Sequence, residues 1–122
     1  MTRKYNSDKI IGFYYIFESI LDLANKNNVA SSIVGFLNSE FTILTTMCIK
    51  NWIYYCDKDK RQNLRTIFKI VDEAKDILHI AIDNKYSKSK SDRRLIYYCK
   101  KHDFLMLSIL SLFYRIKKWK RH

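Results

Sequence analysis

Not one proline occurs in the 122 residues, and glycine occurs only twice, at Gly12 and Gly35. Average usage near 5% would supply about six prolines. Sandwiches, barrels and doubly wound sheets need many tight turns, and turns draw on these two residues. A chain this poor in both is predicted to be all-helical. Its length allows one domain, residues 1–122, and 48% hydrophobic content is far too apolar for a disordered tail.

Apolar spacing predicts four or five helices in an antiparallel bundle. Asn6-Ser7-Asp8 offers caps for a first helix to about Ala24, with Ile10, Phe13, Ile16, Phe17, Ile20, Leu21 and Ala24 inward. A second runs from about Ser31 to Tyr55, with Ile33, Phe36, Leu37, Phe41, Leu44, Met47 and Cys48 inward. Asn38-Ser39-Glu40 is a candidate bend or break in it. The third, Arg61 to Ile82, carries the cleanest stripe: Leu64, Ile67, Phe68, Val71, Ala74, Ile77, Leu78 and Ala81. After a polar loop, Asp83 to Asp92, Ser91 or Asp92 is expected to cap a fourth helix from Arg93. Asp103 is the candidate cap for a restart within residues 93–119.

Charge is distributed unevenly. Residues 1–84 hold 11 Lys/Arg and 10 Asp/Glu, a net of +1, whereas residues 85–122 hold 12 and 2, a net of +10. A near-neutral bundle followed by a basic segment points to a polyanion at one end: an anionic membrane surface, nucleic acid or a phosphorylated substrate.

Motifs for catalysis or metal binding are sparse. Two glycines cannot make a phosphate loop or a nucleophile elbow. Cys48, Cys56 and Cys99 are an odd set without paired spacing and read as reduced cytoplasmic thiols. Cys99-Lys100-Lys101-His102 is at most half a zinc site. His79 lies three residues after Asp76 and four before Asp83, a spacing that shares one helical face; a solvated histidine is the plainer reading. Asp72, Glu73 and Asp76 read as a solvated acidic face. The pairs Arg115/His122 and Arg94/His102 approach the arginine–histidine motif of small helical ribonucleases of the HEPN class; the second pair has the wrong spacing. Ile53-Tyr54-Tyr55-Cys56 recurs as Ile96-Tyr97-Tyr98-Cys99, but the flanks do not continue the match. No catalytic residue, metal ligand or cofactor is expected.

The segment from Phe104 to Ile116 is apolar on every side and runs into Lys117-Lys118-Trp119-Lys120-Arg121. As a helix its thirteen residues reach about 20 Å, short of the roughly 30 Å hydrocarbon core, and no stretch of 18 uncharged apolar residues exists elsewhere. An apolar helix ending in tryptophan and a basic cluster suits a helix lying on an anionic leaflet. Arg115, Lys117, Lys118, Lys120 and Arg121 are the candidate phosphate-binding residues, with Trp119 at headgroup level. The competing readings are a core helix with a solvated basic end, and nucleic-acid binding with Tyr97, Tyr98 and Trp119 stacking on bases.

The order of segments carries one family likeness. Met1-Thr2-Arg3-Lys4-Tyr5-Asn6-Ser7-Asp8-Lys9-Ile10 resembles the stretch that follows the catalytic domain in bacterial family 2 glycosyltransferases of capsule and exopolysaccharide loci. The helix ending Leu23-Ala24-Asn25-Lys26-Asn27-Asn28, the middle helices and the tail Phe113-Tyr114-Arg115-Ile116-Lys117-Lys118-Trp119-Lys120 are similar to the helical C-terminal region of those enzymes. The likeness implies a non-catalytic accessory region, a fragment or a split partner of such an enzyme, partnered by a catalytic glycosyltransferase domain at the inner face of the membrane. Nothing in this chain corresponds to that domain's aspartate motif, since Asp57-Lys58-Asp59 lies between predicted helices. A free-standing basic bundle that binds nucleic acid or a ribonucleoprotein, or a small interaction or inhibitor module, is the alternative.

Overall fold

The computed structural model describes residues 5–6 and 8–120, and among these the chain is all-helical, with no strand. Five α-helices follow in order: α1 (Asp8–Lys26), α2 (Ala30–Tyr55), α3 (Lys60–Glu73), α4 (Lys90–Lys100) and α5 (Phe104–Lys120). A π-helical turn, Ala74–Leu78, extends α3, and a short 3₁₀ turn, Asn84–Tyr86, precedes α4.

The centre of the bundle is α2, which packs against α1, α3, α4 and α5. Its most apolar 18 residues have a mean hydropathy of 1.3, so by length and composition alone it can cross a membrane. Within the bundle it is the central helix. Trp52, Phe41, Leu37, Ile49 and Ile53 are buried along it, as are Thr42, Thr45 and Thr46. A buried hydroxyl needs a partner. Thr46 donates to the Thr42 carbonyl and Thr42 to the Asn38 carbonyl, each at 2.8 Å.

Asn38 does not break the helix. Its side-chain oxygen accepts from the Ala81 N–H at 3.0 Å, and the Thr42 hydroxyl accepts from the Asp83 N–H at 3.0 Å. These side chains serve a non-helical segment after the π turn, which explains why the third helix stops short of Ile82. His79 takes a left-handed conformation, Ile80 N–H closes back on the Ala74 carbonyl at 3.1 Å, and Ile80 and Ile82 plug the core from non-helical backbone. The π turn shifts the register of the stripe, so Ile77, expected inward, is exposed. His79 leaves the helix at this point and shares no helical face with Asp76 and Asp83.

Asn6 bonds the Asp8 N–H at 2.9 Å and Asp103 the Met106 N–H at 3.0 Å, as capping residues do. Ser7, the third candidate at the first cap, lies outside the described residues. At α4 the cap is Ser89, whose hydroxyl accepts from Asp92 N–H at 3.1 Å, so the helix begins three residues earlier than Arg93. Residues 93–119 form two helices, because His102 turns the chain in a left-handed conformation.

The corners at Asn28, Asp59, His79 and His102 all have φ between 53° and 58°, the region that glycine tolerates best. Both glycines sit in helix interiors, and a Cβ on either would meet nothing within 4 Å. Four residues expected inward face outward as well: Ile16 and Ile20 on α1, Phe36 and Met47 on α2.

Candidate functional site

Helix α5 meets the bundle with a narrow inner face. Leu107 and Ser111 are buried, with Phe104, Leu110 and Tyr114 partly so. The opposite face is apolar and open to solvent. Leu105 (68% exposed), Ile109, Leu112 (63%), Phe113 (64%), Ile116 and Trp119 (85%) recur at steps of one, three and four residues, which is one stripe of a helix. From Leu105 to Trp119 it extends about 21 Å at 1.5 Å per residue. Lys117, Lys118 and Lys120 cluster at its end, all exposed.

Which side of an all-apolar helix turns inward is decided here by its polar groups. Ser111 and Arg115 lie one turn apart on the inner side. The Arg115 guanidinium donates to the Ile53 carbonyl at 2.6 Å, the Cys56 carbonyl at 3.0 Å and the Asp57 carboxylate at 3.0 Å. The last carbonyls of a helix lack intrahelical partners, and a cation there also complements the helix dipole. Arg115 is therefore the C-terminal clamp of α2, and its donors point at protein rather than outward with the lysines.

Lys118 lies over two rings, its ammonium 5.0 Å from the Tyr54 centroid and 5.2 Å from that of Tyr55. Among the described residues, Lys117 and Lys120 have no carboxylate within ion-pair distance. Arg121 lies outside the described residues. A groove of about 550 Å³ runs between the end of α2 and α5, walled by Leu112, Ile116, Trp119 and Tyr54 with Arg115, Lys118 and Asp57 at its polar side.

A second cluster escaped sequence reasoning. Lys60 Nζ lies 2.7 Å from the Ser111 hydroxyl and 4.3 Å from the Trp52 ring centroid, and Trp52 Nε1 donates to the Lys60 carbonyl at 2.8 Å. Burial first, and the nearby Arg115 charge second, push the Lys60 amine below its ordinary value. A lysine bonded to a serine is the beginning of a nucleophilic pair. Ser111, however, has no exposed surface at all, so no substrate reaches it. The pair pins α3 to α5. It had no local signal, since 51 residues separate its members.

His102 stacks on Phe68, ring centroids 4.9 Å apart, and its Nε2 is 2.9 Å from the Asp72 carboxylate. This cleft of about 480 Å³ is lined by Arg61, Arg65, Phe68, Lys69, Asp72, Glu73, Asp76, His102 and Phe104, with no hydroxyl or thiol to activate. His102 pairs with a carboxylate rather than with Arg94, and the other half of the ribonuclease-like spacing, His122, lies outside the described residues. Cys99 is buried while His102 faces this cleft, so the half zinc site is not assembled. Among the described residues no group of three metal-ligating side chains converges. Cys48 and Cys99 have thiols pushed up to about 12 by burial, so neither carries a nucleophilic thiolate near neutral pH.

No family model, curated protein or solved structure matches this chain.

Proposed function

We propose that this chain is a non-catalytic helical bundle that docks on an anionic membrane surface through α5, as the accessory region of a polysaccharide-building glycosyltransferase. The observation that carries the docking is the outer face of α5, a solvent-exposed apolar stripe that ends in Lys117, Lys118, Trp119 and Lys120. Sinking half-exposed leucine, isoleucine and phenylalanine side chains into a leaflet contributes on the order of 5 kcal/mol in total. Three lysines near anionic lipid add about 1 kcal/mol each. Neither signal alone gives stable attachment, whereas the two together do. Arg115, committed to α2, supports the docking by holding the helix in orientation.

The same face fits nucleic acid less well. Binding of single strands uses a cationic groove with aromatic platforms. Here the cations sit at one end, and Trp119 and Phe113 are the aromatics of the stripe. Tyr97, a candidate platform, holds Lys101 through a hydrogen bond and a ring contact at 4.3 Å.

Co-sedimentation with vesicles tests the reading. Strong recovery with phosphatidylglycerol vesicles and weak recovery with phosphatidylcholine alone, the difference shrinking in salt, is the expected result. Equal recovery with both, unchanged by salt, would sink it. Retention of RNA at low salt without vesicle binding would move the nucleic-acid reading to the front. The glycosyltransferase part rests on the segment likeness, and the DNA upstream of the Met1 codon checks it. An open frame encoding strands and an Asp-x-Asp motif supports the assignment; a stop codon beside a ribosome-binding site removes it.

A further inference from the structure

The groove beside α5 has a neighbour. Tyr54 lines it and also lines a second groove of about 500 Å³ between α1 and α2, whose walls include Phe13 and Met47 and whose rim carries Lys9. The two grooves thus meet at Tyr54, which is half-buried with Lys118 over its ring; Leu112 and Ile116 are exposed on one side of it and Met47 on the other. Within these two grooves Lys50 is spent on Asp92 at 2.7 Å and Arg115 on Asp57 at 3.0 Å. Lys9 and Lys118 have no carboxylate within ion-pair distance among the described residues, so the surface keeps net positive charge on both sides of Tyr54.

We infer that this α1–α2 groove is a second point of lipid contact, taking an anionic phospholipid of the same leaflet on which α5 lies. The lipid phosphate meets Lys9 at the rim, and its glycerol and upper acyl carbons lie against Phe13, Met47 and Tyr54. Two features of the surface select this occupant. Apolar walls under a cationic rim complement a lipid with an anionic head, and the groove meets, at Tyr54, the one walled by the face already assigned to the membrane. The inference rests on the docking reading and adds to it: a single helix on a leaflet is free to roll, while two contact points on different helices fix the bundle's orientation.

The test is vesicle titration of the full chain, read by co-sedimentation and by the shift in tryptophan emission, to which exposed Trp119 responds while Trp52 stays buried, with four variants. Each cation near an anionic surface is worth about 1 kcal/mol, or roughly fivefold in affinity. Lys9→Gln is expected to weaken binding to phosphatidylglycerol-containing vesicles by about that factor, and Met47→Gln to weaken it measurably. Arg65→Gln, on the outer face of α3, is the control expected to leave binding unchanged. All three positions are solvent-facing, so these variants fold as the parent does. If wild type binds and Leu112→Gln reduces binding, while Lys9→Gln and Met47→Gln titrate like wild type, the groove proposal is overturned and the α5 reading stands. If wild type itself does not bind, the docking reading fails and takes this one with it.

Discussion

Helices α3 and α5 both pack on α2, yet they treat water differently. The inner face of α3 buries Leu64, Ile67, Phe68, Ile70 and Val71, and its outer face shows Arg61, Gln62, Arg65 and Lys69. In α5 the order is partly reversed: Ser111 and Arg115 reach inward, and Leu105, Leu112, Phe113, Ile116 and Trp119 point out. Helix α3 is finished once it is folded against its neighbour. Helix α5 is attached with less apolar contact and with polar pins, and its larger apolar face stays open to solvent.

The sharpest way to break this contrast is to remove one apolar side chain from each helix. Ile67→Ala in α3 empties a fully buried site and is expected to cost about 2–5 kcal/mol in urea denaturation. Leu112→Gln in α5 is expected to leave stability within about 0.5 kcal/mol of wild type and to weaken vesicle binding. A large stability loss at Leu112 would place the α5 stripe in the fold rather than on a membrane.

The cations of α5 divide in the same way. Arg115→Met leaves the Cys56 carbonyl and the Asp57 carboxylate without this donor, and the Ile53 carbonyl with only the Ser111 hydroxyl at 3.4 Å, and is expected to cost about 1.5–3 kcal/mol. Lys117→Met should leave the unfolding midpoint where it is and weaken vesicle binding. Equal stability effects would mean that Arg115 is not a clamp.

Alkaline titration probes the shared core beneath both helices. Burial holds the Cys48 and Cys99 thiols protonated up to about 12, against an ordinary value of 9.0. The folded state then binds more protons than the unfolded one between these limits, so stability is fully present below pH 9 and falls as pH rises toward 12. Lys60, shifted the opposite way, contributes an opposing rise as its amine deprotonates. Cys99→Ala is expected to flatten the net decline; an unchanged slope would count against the buried thiols as its source.

The smallest expected effect concerns the glycines. Gly12→Ala in α1 and Gly35→Ala in α2 meet open space, and each is expected to stabilise by about 0.5–1 kcal/mol. Circular dichroism melts would detect the gain, and a loss at either position would reveal a contact within the folded chain.

Proline and glycine scarcity was enough to predict helices, and the stripe of α3 and the caps at Asn6 and Asp103 followed from local spacing. What periodicity could not supply was direction. Ile16, Ile20, Phe36 and Met47 fit an inward pattern as well as their buried neighbours do, because each helix has more apolar residues than one face can bury. The end of α3 was hidden for another reason: the acceptors that hold Ala81 and Asp83 in non-helical backbone are Asn38 and Thr42, about forty residues earlier. In the candidate site, the lysines and Trp119 were legible as a run. The task of Arg115 was not, since its partners lie on α2 and just beyond it.

The left-handed corners carry a consequence for how quickly the chain folds. Its turns are made by asparagine, aspartate and histidine, and no peptide bond precedes a proline. The slow prolyl isomerisation that delays many chains by tens of seconds has nowhere to occur. Refolding is therefore expected to show no proline-limited slow phase in a stopped-flow experiment, its rate being set by helix pairing and by closure of the long link that brings Ser111 back to Lys60. For a basic chain with an apolar outer stripe, one source of delay in a half-folded form open to capture by a membrane or another chain is thereby removed.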